Sequence, residues 1–254
     1  MYLYRAKQGF CAIFGLLSLV VTLYSIGKFV IFISSVAAIS DGVIANESHE
    51  LKFVVRAVLN NSIWLSLFIL YHSFGKHENV KKFWEKIGFK TLERSAYNVI
   101  SSYILLQMVE RWVVVNKWTL WSFEIKEYSP VWYMYILSHS AFWLIIFCGS
   151  LLMDVPEILG IKQIYYDIKG LNRPSLYKAI QHNHLLTNVR HPSYIGFSLL
   201  FWITNLMSLD RLIMAVLLTI YMFVAWSPDR KDYQYQQQQL ELKKLELRYD
   251  FKQK

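Results

Sequence analysis

The apolar residues of this 254-residue chain fall into long uninterrupted blocks, with neither strict alternation nor a sustained 3.6-residue period. Alternation marks a half-buried strand and the longer period a half-buried helix, whereas about 20 apolar residues in a row make one helical crossing of a bilayer core. Four blocks stand clear: Gly9 to Ile39, Phe53 to Phe74, Ala96 to Val109 with its flank, and Val131 to Met153. A fifth is split into Tyr194 to Met207 and Leu212 to Trp226, and the intervening Ser208-Leu209-Asp210-Arg211 reads as the turn of a tight helical hairpin. The pattern predicts an all-α, multi-pass transmembrane helical bundle of about six spans, at residues 9–38, 53–74, 96–115, 131–153, 193–208 and 210–227. A basic amphipathic tail follows over 229–254. Lys28 interrupts the first block. The simplest reading is one long tilted helix, with a short second dip between Phe29 and Ile39 as the alternative. No small-residue cleavage site follows it, so it reads as a retained anchor.

Composition agrees with the pattern. The chain is 55% apolar and 18% charged, where a soluble domain has roughly 45–50% and 25%. The charges orient it, because Lys and Arg in short loops stay on the cytosolic side. Segments that six spans place on one side (the N-terminus, 76–94, 162–190 and 230–254) hold 20 of the 27 basic residues; the other side holds 5, and Lys28 and Arg56 lie within spans. Both termini are therefore expected on the cytosolic or nucleoplasmic side. Trp112, Trp118, Trp121 and Trp132 crowd the third loop, as indoles do at a headgroup interface. Asn46-Glu47-Ser48 is a glycosylation sequon that also reads as an ordinary turn. Cys11 and Cys148 fall within spans as small apolar fillers.

Outside the spans, residues 75–95 read as a surface-lying amphipathic segment with Phe83, Trp84, Ile87 and Phe89 toward lipid. The loop from Asp154 to Arg190 is about twice the usual connection, and loops longer than about 12–15 residues tend to carry function or disorder. The tail has Leu240, Lys244, Leu247 and Phe251 on one helical stripe, fit to lie on a surface or on a partner. The net charge of +9 is spread over four segments without a recognition helix, so anionic headgroups explain it and no specific nucleic-acid binding is expected.

Candidate chemistry concentrates at Arg190-His191-Pro192-Ser193-Tyr194-Ile195-Gly196, where a guanidinium fork, an imidazole and a phenol meet at the start of a span. The same residues also suit a proline-started helix whose arginine snorkels to headgroups. His182, Asn183, His184 and His191 make no metal site on spacing, because the i, i+2 pair diverges and no carboxylate or thiolate completes a ligand set. Lys28, Arg56 and His139 stand inside spans, where ionisable groups are functional candidates by default. Asp154 and Glu157 are poised to pair with Arg190 or Lys162.

VRHPSYIG resembles the VRHPxYxG stretch of membrane methyltransferases acting on isoprenylcysteine carboxyls, phospholipids and methanethiol. Tyr71-His72-Ser73, Glu93-Arg94-Ser95 and Leu159-Gly160-Ile161-Lys162-Gln163 are similar to patches of the methanethiol branch. Together with IKQIYYDIKGL (161–171) and SLDRLIMAVLLTIY (208–221), these segments most resemble the nurim family of nuclear-rim proteins. That resemblance implies a six-span protein of the nuclear inner membrane with a methyltransferase-like fold, no established reaction, and lipids and nuclear-envelope proteins as partners. The enzymes imply S-adenosylmethionine held by Arg190, His191, Tyr194, Gly196 and Asp229. The pattern departs at Asp229-Arg230, where the enzymes carry a glutamate pair. A cation there opposes the cofactor's ammonium and sulfonium. The expectation is a vestigial or weak site with no catalytic residue, no metal and no resident cofactor, S-adenosylmethionine being the alternative.

Overall fold

A computed structural model describes residues 2–37, 47–75, 77–115, 118–178, 180–182, 184, 193–226 and 229–252. The sequon asparagine and the Arg190-His191-Pro192 stretch lie outside them. The chain is mostly helical. Among the described residues, three helices meet the length and apolarity of a membrane crossing, over Tyr4–Ser34, Leu51–Phe74 and Pro130–Leu151.

Helix α1 (Tyr2–Ser34) runs unbroken through Lys28, which is exposed and leans over the Tyr24 ring at 5.7 Å. Its buried positions are Cys11, Gly15, Ser18, Thr22, Ser25, Phe29 and Ile33. That three-four alternation is the seam repeat of helices crossing at a shallow angle. The seam packs on α4 (Glu93–Glu110), whose Ser95, Asn98, Ser101 and Ser102 are buried in turn. Small side chains let the two backbones approach and hydrogen-bond, a main source of cohesion between membrane helices. Ser18 Oγ donates to the Ser95 carbonyl at 2.8 Å, and Ser102 Oγ to Thr22 Oγ1 at 3.2 Å.

Helix α2 (Glu47–Phe74) returns beside α4. Next comes α3 (Glu78–Lys86), started by His77, whose side chain accepts the Asn79 N–H. The expected lipid-facing quartet divides. Phe83 and Ile87 are exposed, while Trp84 and Phe89 pack on Cys11, Leu92 and Ile164.

The third expected span, 96–115, is helical only to Glu110. Beyond it Asn61 pulls the chain out of the helix, accepting the Val113 N–H at 3.0 Å and donating to the Val113 carbonyl at 2.7 Å. Asn60 donates to the Arg111 carbonyl at 2.9 Å. These side chains offer partners that the next helical turn would otherwise supply.

Strand β1 (Thr119–Ser122) precedes α5 (Pro130–Leu152), whose N-cap Ser129 accepts the Trp132 N–H before Pro130 in the first turn. The short α6 (Val155–Ile158) and α7 (Ile161–Ile168) follow, then a single 3-10 turn at Pro174–Tyr177.

The fifth block departs from a helical hairpin. Helix α8 (Tyr194–Trp202) stops after nine residues, and Leu206–Ser208 form strand β2 before α9 (Leu209–Ala225) begins. β2 pairs antiparallel with β1, Thr119 opposite Ser208 and Ser122 opposite Leu206, so the all-α expectation misses a two-stranded ladder. Nine helical residues cover about 13 Å, and the three strand residues of β2 add roughly 10 Å after the bend at 203–205, so this stretch is a short helix continued by extended chain in place of an unbroken helical crossing. Helix α10 (Arg230–Lys252) forms the tail.

Contacts gather the start of α1, the end of α2 and the starts of α4 and α8 with the ends of α5 and α9 at one end of the bundle. Gly160 ties the loop after α5 to that end. Its φ is +81°, and a Cβ there would lie 2.6 Å from Ser95 Oγ and 2.8 Å from Ser95 N. Gly170, at φ +66°, terminates α7 with open space around it.

Gly170→Ala therefore incurs backbone strain alone, about 1–2 kcal/mol, whereas Gly160→Ala adds overlap with backbone. Thermal unfolding in nanodiscs is expected to show a larger loss for Gly160→Ala than for Gly170→Ala.

Candidate functional site

The described residues among those singled out by sequence lie in separate structural contacts. Arg190 and His191 lie outside the described residues. Tyr194 opens α8 and stacks on Trp226 beyond α9, ring centroids 5.5 Å apart and planes 23° apart. Gly196 faces α5: a Cβ there would lie 2.7 Å from Ile146 Cγ1 and 3.0 Å from the Phe142 carbonyl. It permits close helix approach, reinforced by Ser193 Oγ donating to the Ile146 carbonyl at 3.1 Å.

Asp229 is the N-cap of α10. Its Oδ1 accepts the N–H groups of Lys231 and Asp232, each at 2.9 Å, and Asp232 Oδ2 accepts the Asp229 N–H at 3.1 Å. This reciprocal arrangement is a capping box with Asp in both roles. Asp232 is 1% exposed, and its other oxygen lies 2.8 Å from His184 Nδ1. His184 Nε2 is 3.7 Å from Asp229 Oδ2.

The carboxylates that the histidine cluster lacked on spacing thus arrive from the tail. Among the described residues His184, Asp229 and Asp232 bring three potential ligand atoms within 4.8 Å of one another. The capping box already engages both carboxylates. His182, whose ring centre is 6.1 Å from that of Tyr235, adds a second contact between loop and tail. Burial, and then the Lys178 ammonium, push its imidazole below the usual range.

Beside this joint sits an ion-pair cluster. Asp154, at φ +63°, pairs with Lys162, as expected. Lys178 lies 2.6 Å from Glu157 and 3.6 Å from Asp154, a partner sequence separation concealed. Burial opposes ionisation of Asp154, but the Lys162 hydrogen bond and the two ammoniums outweigh it and hold the carboxyl below its ordinary range. Arg94 Nε and Asn98 Nδ2 both donate to the Ile158 carbonyl at 2.9 Å. Tyr97 Oη lies 2.8 Å from His72 Nδ1 and Tyr71 stacks on Tyr97. Tyr71–Ser73, Glu93–Ser95 and 159–163 thus lie together at the loop end of the bundle, joined by contacts that hold helices and loop together.

Tyr194, Gly196 and Asp229 are each engaged by the protein itself. The open side of Gly196 is filled by α5, the face of Tyr194 by Trp226, and Asp229 Oδ1 by two backbone donors.

A second polar cluster lies at the opposite end and was legible only in part. His139 Nε2 donates to the Ile203 carbonyl at 2.8 Å, at the residue where α8 breaks. Its Nδ1 then accepts from Ser34 Oγ at 3.1 Å, and Ser34 Oγ accepts the Trp143 indole N–H at 2.8 Å. Asn205 accepts the Ala37 N–H and donates to the Ala37 carbonyl, both at 2.9 Å. Asp210 is buried, not in a turn, and accepts the Trp112 indole N–H at 2.7 Å and the Val115 N–H at 2.9 Å. Trp112 is accordingly an internal tie where an interfacial belt was expected. Its spacing from Asp210, 98 residues, gave no local signal.

No protein-family model and no solved structure matches the chain. A Nurim homolog of Drosophila melanogaster is 40% identical over 233 residues, covering 89% of this chain and 92% of that protein. Nurim of Danio rerio is 34% identical over 197 residues, covering 76% and 70%. Nurim of Homo sapiens is 33% identical over 195 residues, covering 74% of each.

Two outcomes follow from this geometry. His139→Leu leaves the Ile203 carbonyl without its donor and is expected to lower unfolding stability by about 1–3 kcal/mol, read by thermal unfolding in nanodiscs. Asp229→Ala removes a cap worth about 1 kcal/mol, so circular dichroism should report less tail helix while the bundle's melting temperature stays unchanged.

Proposed function

The chain belongs to the nurim family, and from that membership we propose that it is a non-catalytic integral protein of the nuclear inner membrane. In this reading it crosses six times, has a methyltransferase-like fold, keeps both ends on the nucleoplasmic side and acts in the nuclear envelope through contacts with lipids and resident proteins. The lopsided loop charge supports that orientation, since the segments that six spans place on one side hold 20 basic residues and those on the other hold 5. Specific nucleic-acid recognition forms no part of it.

The observation that carries the non-catalytic reading is the occupation of Tyr194, Gly196 and Asp229 by structural contacts. A transferase needs those groups aimed at a cofactor, and fold resemblance alone does not supply a reaction. Calorimetric titration of the purified full chain with S-adenosylmethionine is expected to give no binding heat up to millimolar ligand. Saturable binding would replace this reading with a lipid-directed methyltransferase. Imaging of a tagged chain is expected to show a nuclear rim; a diffuse reticular signal without one would contradict the location.

A further inference from the structure

Helix α7 packs against α1 beside the first turns of the stretch Tyr4–Ser34, which is long and apolar enough to cross a membrane. Gln8 of α1 donates to the Asp167 carbonyl at 3.2 Å, and Ile164 fills the space beside Gly15 and contacts the cluster around Cys11. Residues 8 to 15 are the first turns of an α1 crossing whose Phe10, Ile13, Leu16 and Leu17 are all more than half exposed. There α7 presents Tyr165 and Ile168, both exposed and on the same side of buried Ile164, and the chain continues through exposed Leu171, Leu176 and Tyr177. Gln163 and Asp167 occupy the opposite sector of the helix, as an amphipathic helix requires.

So much exposed apolar surface on a loop is costly in water, and a bilayer interface is the environment that covers it. The bordering charge is mostly positive. Exposed Lys169 and Arg173 are interspersed with the apolar residues, Arg173 lying 3.9 Å from Glu85, and exposed Arg5, Lys7, Lys82 and Lys86 stand on the adjoining ends of α1 and α3. We infer that α7 and the turn following it form a membrane-interface element, embedded beside the first turns of α1 and selective for anionic phospholipid headgroups. The inference depends neither on the nuclear location nor on the absence of catalysis. It turns the long loop from a presumed reaction site into a lipid-binding collar of the bundle.

The test places an environment-sensitive NBD probe at Ile168→Cys and, separately, at Leu171→Cys. The full chain carries Cys148→Ala, with Cys11 left in place because it is buried. In nanodiscs the probe should emit blue-shifted, be quenched by lipids carrying a doxyl group near the headgroup, and be shielded from iodide. Iodide quenching without doxyl quenching at both positions would overturn embedding. At equal mole fraction, doxyl-labelled phosphatidylserine should quench more than doxyl-labelled phosphatidylcholine, and the difference should vanish in Lys169→Gln/Arg173→Gln. Equal quenching by the two lipids in the unsubstituted loop would overturn the anionic preference.

Discussion

Every backbone N–H and carbonyl that a membrane chain carries into hydrocarbon must find its partner within the protein, because lipid offers none. Unbroken helices meet that constraint by themselves, as α1, α2 and α5 do. Elsewhere the chain leaves the helical path, and at four such departures among the described residues a polar side chain stands opposite the freed groups. Asn61 holds Val113, Asp210 holds Val115, His139 holds Ile203 and Asn205 holds Ala37. The β1–β2 ladder completes the set. Intramembrane polar residues often mark function; here their hydrogen bonds account for them as parts of the scaffold.

The hydroxyl seam between α1 and α4 plays the complementary role at the other end. Small side chains bring the two helices together, and the close approach leaves room at Ser95 for Gly160 alone. The loop after α5 is thereby fixed to the bundle. Its ion pairs then fold it back on itself, and His184 joins it to the tail through Asp232. Bundle, loop and tail form one connected unit without a cavity among the described candidate residues.

Helix content, the long apolar blocks and the relation to the family were legible in the sequence because they depend on composition and local order. The break of α8 was not. Tyr194 to Met207 reads as a continuous apolar run, and only pairing with Thr119–Ser122, more than eighty residues away, makes an extended path favourable. Trp112 misled for the same reason: an indole next to a predicted span end looks interfacial until Asp210 is brought to it by the fold. The site was legible as a set of chemical groups but not as a geometry. Asp229-Arg230-Lys231-Asp232 carries the spacing of a capping box, a local signal that was present yet masked by comparison with the enzymes' glutamate pair.

The account rests most directly on the claim that the non-helical backbone inside this bundle is fully satisfied by the protein. Amide hydrogen exchange of the full chain in nanodiscs measures it. Val113, Val115, Phe123 and Leu209 should exchange as slowly as amides in the middle of α5, since each donates to a named internal acceptor. Exchange of these four as fast as in exposed turns would mean that water supplies their partners, and the account would be wrong.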